Sequence, residues 1–210
     1  IDGGLDDGGT TINDEVPEPG GPRKFYVDGG SVKVAHKLVY ELDADGKQLR
    51  CVEYTDYTAE KVRSLFTTAA ELREKWADAE LRQQIIEQLE ERGVDFDALA
   101  EAAEKPEADP FDLLCHVAFN APLRTRRERA DRLRKDKVDF FDNYGPEARS
   151  ILIDLLDKYA EHGLAQFKIP DVLKVPPLSD RGNVGEIIGY FGSADELRIA
   201  VAKLQANLYA

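Results

Sequence analysis

Two consecutive helix openings constrain this chain more than any other feature of its sequence. The first is DPFDLLCHVAF at Asp109 to Phe119. Asp109 sits where an N-cap carboxylate accepts a free amide, and Pro110 follows at the first helical position, where a missing N–H costs nothing. The second opening is Thr125-Arg126-Arg127-Glu128, a capping-box spacing, with Arg129, Arg132 and Arg134 further along the same helix. An apolar helix therefore runs straight into a basic one.

The surrounding sequence extends the helical pattern. Thr68-Ala69-Ala70-Glu71 opens a helix through Trp76, and Leu81, Ile85, Ile86 and Leu89 form a stripe at helical spacing closed by Gly93. Phe96, Leu99 and Ala103 continue on a short helix. Pro146 starts a helix whose apolar face is Ile151, Leu152, Leu155, Leu156 and Tyr159, ended by Gly163. After the extended VLKVPPLSDRG segment, helices are expected from Asn183 to Gly192 and from Ser193 to Leu208. Near the N-terminus the period changes to two. Lys24 to Asp28 suits a short strand, and Ser31 to Leu42 alternates through Val32, Val34, Leu38, Tyr40 and Leu42. A further strand near 47–56 follows the turn Asp43-Ala44-Asp45-Gly46. These patterns predict a mainly α, bundle-like domain with an N-terminal β-hairpin, α+β in the strict sense. The expected division is a linker over 1–23, a hairpin segment over 24–57 and a helical domain over 58–210.

The linker expectation rests on composition. Residues 1–22 hold six glycines, six acids, three prolines and no basic residue, too little apolar surface to offset ordering. The chain contains no methionine and starts Ile-Asp-Gly-Gly, which reads as a piece of a larger protein rather than a processed terminus. Two cysteines in 210 residues make a disulfide framework improbable and fit a reducing cytosol. No apolar run is long enough for a membrane span, and no secretory leader is visible.

Catalytic signatures are missing from the pattern. There is no glycine-rich turn followed by Gly-Lys-Ser/Thr to cradle phosphate. Cys115 and His116 are neighbours on one helix, so their side chains diverge by about 100° and neither readily activates the other. His36, His116 and His162 are scattered and make no metal-ligand spacing. Asp43-Ala44-Asp45-Gly46 lacks the downstream ligands of a calcium loop. Asp45-Gly46-Lys47 has an acid-x-lysine spacing used by nucleases, but that chemistry needs the pair held rigidly on a strand with a further acid, and here it is a turn tip. The expectation is no catalytic residue, no metal site and no cofactor in this segment.

Charge is the remaining signal. The total of −13 argues against a general nucleic-acid coat, since phosphate binding depends on lysine and arginine. Yet Leu123 to Lys137 carries eight basic residues against three acids, a local +5. Arg124, Arg126, Arg127, Arg129, Arg132 and Arg134 are candidates for binding an acidic partner or phosphate, with Arg126, Arg129 and Arg134 expected near one face. Tyr209, in the apolar aromatic end Leu204 to Tyr209, is a further candidate contact. The alternative is intramolecular: 41 acids offer these arginines many partners.

The ordered blocks DADGK, Tyr57-Thr58, IIEQLEERGVDFDALA, DPFDLLCHVAF, RTRRERA, ILIDLLDKYAEHG, VLKVPP and the closing KLQANLYA together resemble one family. It is the C-terminal domain of the restriction (R) subunit of EcoEI-like type I restriction-modification enzymes. The resemblance covers Lys24 to Ala210. It implies a parent chain with a nuclease domain and two helicase-like motor domains upstream, using ATP and magnesium to translocate and cleave DNA in a bacterial or archaeal cytoplasm. It implies methyltransferase and specificity subunits as partners, DNA contact through the assembled complex, and a docking role for this region. None of the family's catalytic motifs falls in these residues. The competing expectation is a free-standing enzyme, or a DNA-backbone-binding module using the basic helix.

Overall fold

The computed structural model describes residues 23–27 and 30–210. Four strands come first: β1 (Arg23–Val27), β2 (Gly30–Ala35), β3 (Leu38–Asp43) and β4 (Gln48–Glu53), paired antiparallel in the order β1-β2-β3-β4. Ten α-helices follow among the described residues: α1 (Tyr54–Leu65), α2 (Ala69–Ala77), α3 (Ala79–Glu90), α4 (Phe96–Ala102), α5 (Pro110–Phe119), α6 (Arg126–Asp136), α7 (Val138–Asp142), α8 (Pro146–His162), α9 (Val184–Phe191) and α10 (Ala194–Leu208). Three short 3-10 turns between Leu164 and Arg181 link α8 to α9. The mainly α expectation with β structure at the N-terminus is met. Of the linker expected over 1–23, residues 1–22 lie outside the described residues, and Arg23 instead begins β1.

The β segment differs from its expectation in two ways. Ser31 to Leu42 is two strands, not one, broken at His36 and Lys37 with His36 at φ 57°. The break inverts which side chains face the core. Val32, Val34 and Val39 are buried, and the two-residue turn changes the parity of the inward positions, so Leu38, Tyr40 and Leu42 face outward. The alternation of even-numbered apolar residues had hidden this switch. The strand expected over 47–56 ends at Glu53, because Tyr54, Tyr57 and Val62 are buried at helical spacing along α1. The Tyr54 hydroxyl donates to Gly93 O at 3.1 Å, which ties the end of the sheet to the loop after α3.

Two glycines make the meander possible. At Gly46 the chain turns with φ 80°, and the Asp43 carboxylate accepts from Asp45 N (3.0 Å) and Lys47 N (2.8 Å). At Gly30 any Cβ would lie 2.0 Å from Leu42 O, so only glycine lets β2 approach β3 there.

Local punctuation holds the helices as the sequence implies. Thr68 accepts from Glu71 N, Asp109 from Phe111 N (2.8 Å), and Thr125 and Asn183 form capping boxes with Glu128 and Glu186. Each such cap is worth about 1 kcal/mol. Packing supplies more. On α8, Ile151, Leu152, Leu155, Leu156 and Tyr159 are all fully buried, against α6, α9 and the first 3-10 turn. Each such apolar side chain contributes roughly 1.5–3 kcal/mol. α1 packs on α5, α2 on α3 and α5, and α10 lies across α2, α3, α6 and α9. This arrangement brings the last residues of the chain onto the two helices that open the sequence argument.

Candidate functional site

Beneath the basic segment lies a buried polar clasp joining α5, α6, α8 and α10. Asp109, the N-cap of α5, is fully buried. Its Oδ1 accepts from Phe111 N, and its Oδ2 accepts from the hydroxyls of Tyr159 and Tyr209, the latter at 3.1 Å. One turn on, Asp112 takes a bidentate pair from Arg129, with Nη2 to Oδ1 at 2.9 Å. Arg129 Nη1 also donates to Leu208 O, and its guanidinium carbon lies 5.0 Å from the Phe111 ring centroid and 4.8 Å from that of Tyr209. A second buried arginine, Arg82, donates to Trp76 O at 3.0 Å and to the Gln205 amide oxygen.

Charge in this clasp is balanced locally. Burial opposes the charge on Arg129, but the hydrogen bond to Asp112 and the nearby Asp109 carboxylate hold it above its ordinary value. Burial pushes the Asp112 carboxyl upward, with the Arg129 guanidinium pulling against that. The Tyr159 and Tyr209 hydroxyls are held well above their usual value, first by burial and then by Asp109.

The expectation for two candidate residues is corrected here. Arg129 is 6% exposed and Tyr209 1% exposed, so neither presents a surface to a partner. Both are consumed inside the fold, because α10 packs down onto α6. Nor do Arg126, Arg129 and Arg134 share an open face. Arg126 donates to Ala108 O at 3.2 Å, and Arg134 pairs with Asp131 (3.0 Å) and Asp157. Arg132 is exposed but paired with Asp136 at 3.2 Å. Asp112, Arg82 and Gln205 share in the clasp and were not singled out from sequence, and Asp109 was read there only as a helix cap. The only local hint was one acid, Asp112, inside an otherwise apolar helix.

What remains open to solvent is a different set. Among the described residues, Arg124, Arg127, Lys135 and Lys137 take part in no ion pair, and Arg127 and Lys135 are exposed. Arg124, Arg132 and Lys137 line a pocket of about 270 Å³ with Asp136 and Leu208, at the junction of α6 and the end of α10. This surface can attract anionic groups, and it holds no nucleophile paired with a base.

The other sequence candidates have structural duties. Burial pushes the Cys115 thiol up to about 12, and His116 Nδ1 lies 3.0 Å from Ala121 O. The Asp43 carboxylate is occupied by its own turn. Among the described residues, no group of three or more His, Cys, Asp or Glu is placed to hold a metal, and no helix is long and apolar enough to cross a membrane.

Comparison with known proteins adds identity to this geometry. The family model described as "EcoEI R protein C-terminal" matches residues 52–209. The type I restriction enzyme EcoAI endonuclease subunit of Escherichia coli is 37% identical over 188 residues, covering 89% of this chain. The chain spans 23% of that relative's length. No solved structure matches. With the family match running from β4 to the buried Tyr209, the chain belongs to the EcoEI R protein C-terminal family, the C-terminal domain of type I restriction enzyme R subunits.

Proposed function

We propose that this chain is a non-catalytic assembly module, docking an ATP-driven DNA translocase and endonuclease onto its methyltransferase and specificity subunits. Nuclease and motor chemistry, with its ATP and magnesium, belongs on this reading to other parts of the parent subunit, working in the cytoplasm. The observation that carries the reading is the group Arg124, Arg127, Lys135 and Lys137, cations without carboxylate partners among the described residues in a chain of net charge −13. They surround α6, whose own core-facing residues are locked in the clasp. A rigid base with free charge on its rim suits steering and registering an acidic protein surface.

The test is titration of the chain against the methyltransferase–specificity complex. Arg127→Glu/Lys135→Glu should weaken binding about tenfold or more at low salt, a loss of about 1.4 kcal/mol or above, and less at high salt. Undiminished binding by this variant removes α6 from the interface. If wild-type chain instead binds duplex DNA, with a salt slope flattened by the same substitutions, the basic helix is a phosphate-binding element and the docking reading fails.

A further inference from the structure

The outward face of the sheet carries an unusual combination. Two of its rows, read across the register, are Lys24–Lys33–Tyr40–Cys51 and Tyr26–Ser31–Leu42–Gln48, with Ser31 itself buried. Neither of these rows contains a carboxylate; the third outward row, Ala35–Leu38–Glu53, ends in one on β4, three strands away from Lys24. Lys24 and Lys33 are direct cross-strand partners and, among the described residues, neither is in an ion pair. Like charges placed opposite one another destabilise a sheet. Tyr26 is 79% exposed with the Lys24 ammonium 5.0 Å from its ring centroid. The inward face of the same strands packs Val32, Val34 and Val39 into the core beside the Arg50–Glu41 ion pair.

We infer that the outward face of the β1–β4 sheet binds single-stranded nucleic acid, with bases stacking on Tyr26 and Tyr40 and phosphates on Lys24 and Lys33. Charge and shape select this occupant. A protein interface core is depleted of lysine. A second copy of the sheet would set lysines against lysines. In a duplex the flat faces of the bases are already covered by their neighbours, whereas a single strand offers both an anionic backbone and free π-faces. A four-stranded antiparallel face has room for two or three bases. The site lies on different residues from those of the docking proposal and does not rest on it.

The experiment uses the 210-residue chain and a fluorescein-labelled oligothymidylate of about 20 nucleotides, longer than the ~4–16 covered by one small β domain. Binding is measured between about 50 mM and about 200 mM salt, where phosphate contacts show as a slope. Lys24→Ala/Lys33→Ala should weaken binding about tenfold and reduce the slope by about 1.4, near 0.7 for each lost phosphate contact on a single strand. Tyr26→Ala should weaken it by a similar factor with the slope unchanged, because stacking is not a counterion effect. Cys51 gives a readout that needs no variant: it lies in the lysine row and is exposed, while Cys115 is buried. The oligonucleotide should slow alkylation of Cys51. Arg127→Glu/Lys135→Glu should leave oligonucleotide binding intact, separating this site from α6. No binding at low salt overturns the proposal, as does binding that survives the lysine substitutions. Equal competition by a glutamate peptide of the same charge also overturns it, in favour of an acidic protein segment.

Discussion

The clasp around α5, α6 and α10 and the outward face of the sheet both combine basic residues with tyrosines, and they do opposite things with them. In the clasp, Arg129 lies between Phe111 and Tyr209, pairs with Asp112, and is removed from solvent. On the sheet, Lys24 stands beside an exposed Tyr26 with no carboxylate in its row. The difference lies in valence. A guanidinium has five donors and a plane, so several backbone and carboxylate partners can be satisfied at once. An ammonium is strongly hydrated and stays at the surface. The comparison teaches that a basic–aromatic pattern means a locked joint when acids converge on it and an available surface when they do not.

Raising pH breaks the buried side first and hardest. Tyr54, Tyr57, Tyr159 and Tyr209 are all held above their ordinary value, mainly by burial, and Cys115 is pushed up to about 12. Each group therefore contributes stability that is complete below its unfolded value and is lost as pH rises. Each costs about 1.4 kcal/mol per pH unit above that point. Denaturation titrations should show a steep alkaline fall beginning near pH 9 to 10, several-fold steeper than one group gives. A shallow fall would mean that these hydroxyls reach water.

Next in size is Arg129→Ala. It leaves Asp112 and Leu208 O buried without their partner and should cost about 3–5 kcal/mol in urea unfolding. Arg129→Lys should recover only part of this, since one ammonium cannot span both acceptors. Tyr209→Phe is milder. It keeps the ring packing but removes one donor from Asp109, and should cost about 1–3 kcal/mol. Smallest is Lys24→Ala on the sheet. Its effect should lie within about 0.5 kcal/mol, and at low salt should be stabilising, because it relieves the repulsion from Lys33. A large destabilisation there would make the lysine structural and erase the contrast.

The helical body was legible because its signals are local. Caps at Thr68, Asp109, Thr125 and Ser193 announce themselves within four residues, and the α8 stripe repeats within one helix. The sheet was half legible. The turn at Gly46 has a signature, whereas the turn at His36-Lys37 has none, and an even-numbered alternation interrupted only at His36 concealed it. The clasp was legible only in pieces, as a cap at Asp109, a basic Arg129 and an aromatic end at Tyr209, and not as a joint. Arg82 meets Gln205 across 123 residues and Arg129 meets Leu208 across 79, and no single-chain pattern encodes which distant acceptor a given arginine will find. Six arginines near α6 looked alike, and only the arrival of α10 distinguishes Arg129 from Arg127.

That arrival has a consequence for biogenesis. Gln205, Leu208 and Tyr209 supply partners to Arg82, Arg129 and Asp109, all of which leave the ribosome long before them. Since synthesis proceeds from the N-terminus at roughly 5–20 residues per second, the nascent helices wait several seconds for their last partner. During that interval Arg129 can already pair with Asp112, and Asp109 can accept from Tyr159, but the partners from Gln205, Leu208 and Tyr209 are still missing. The joint therefore closes in two stages, α5 with α6 and α8 first and α10 onto them second, and Arg82 gains its amide partner and Asp109 its second hydroxyl only in the later one.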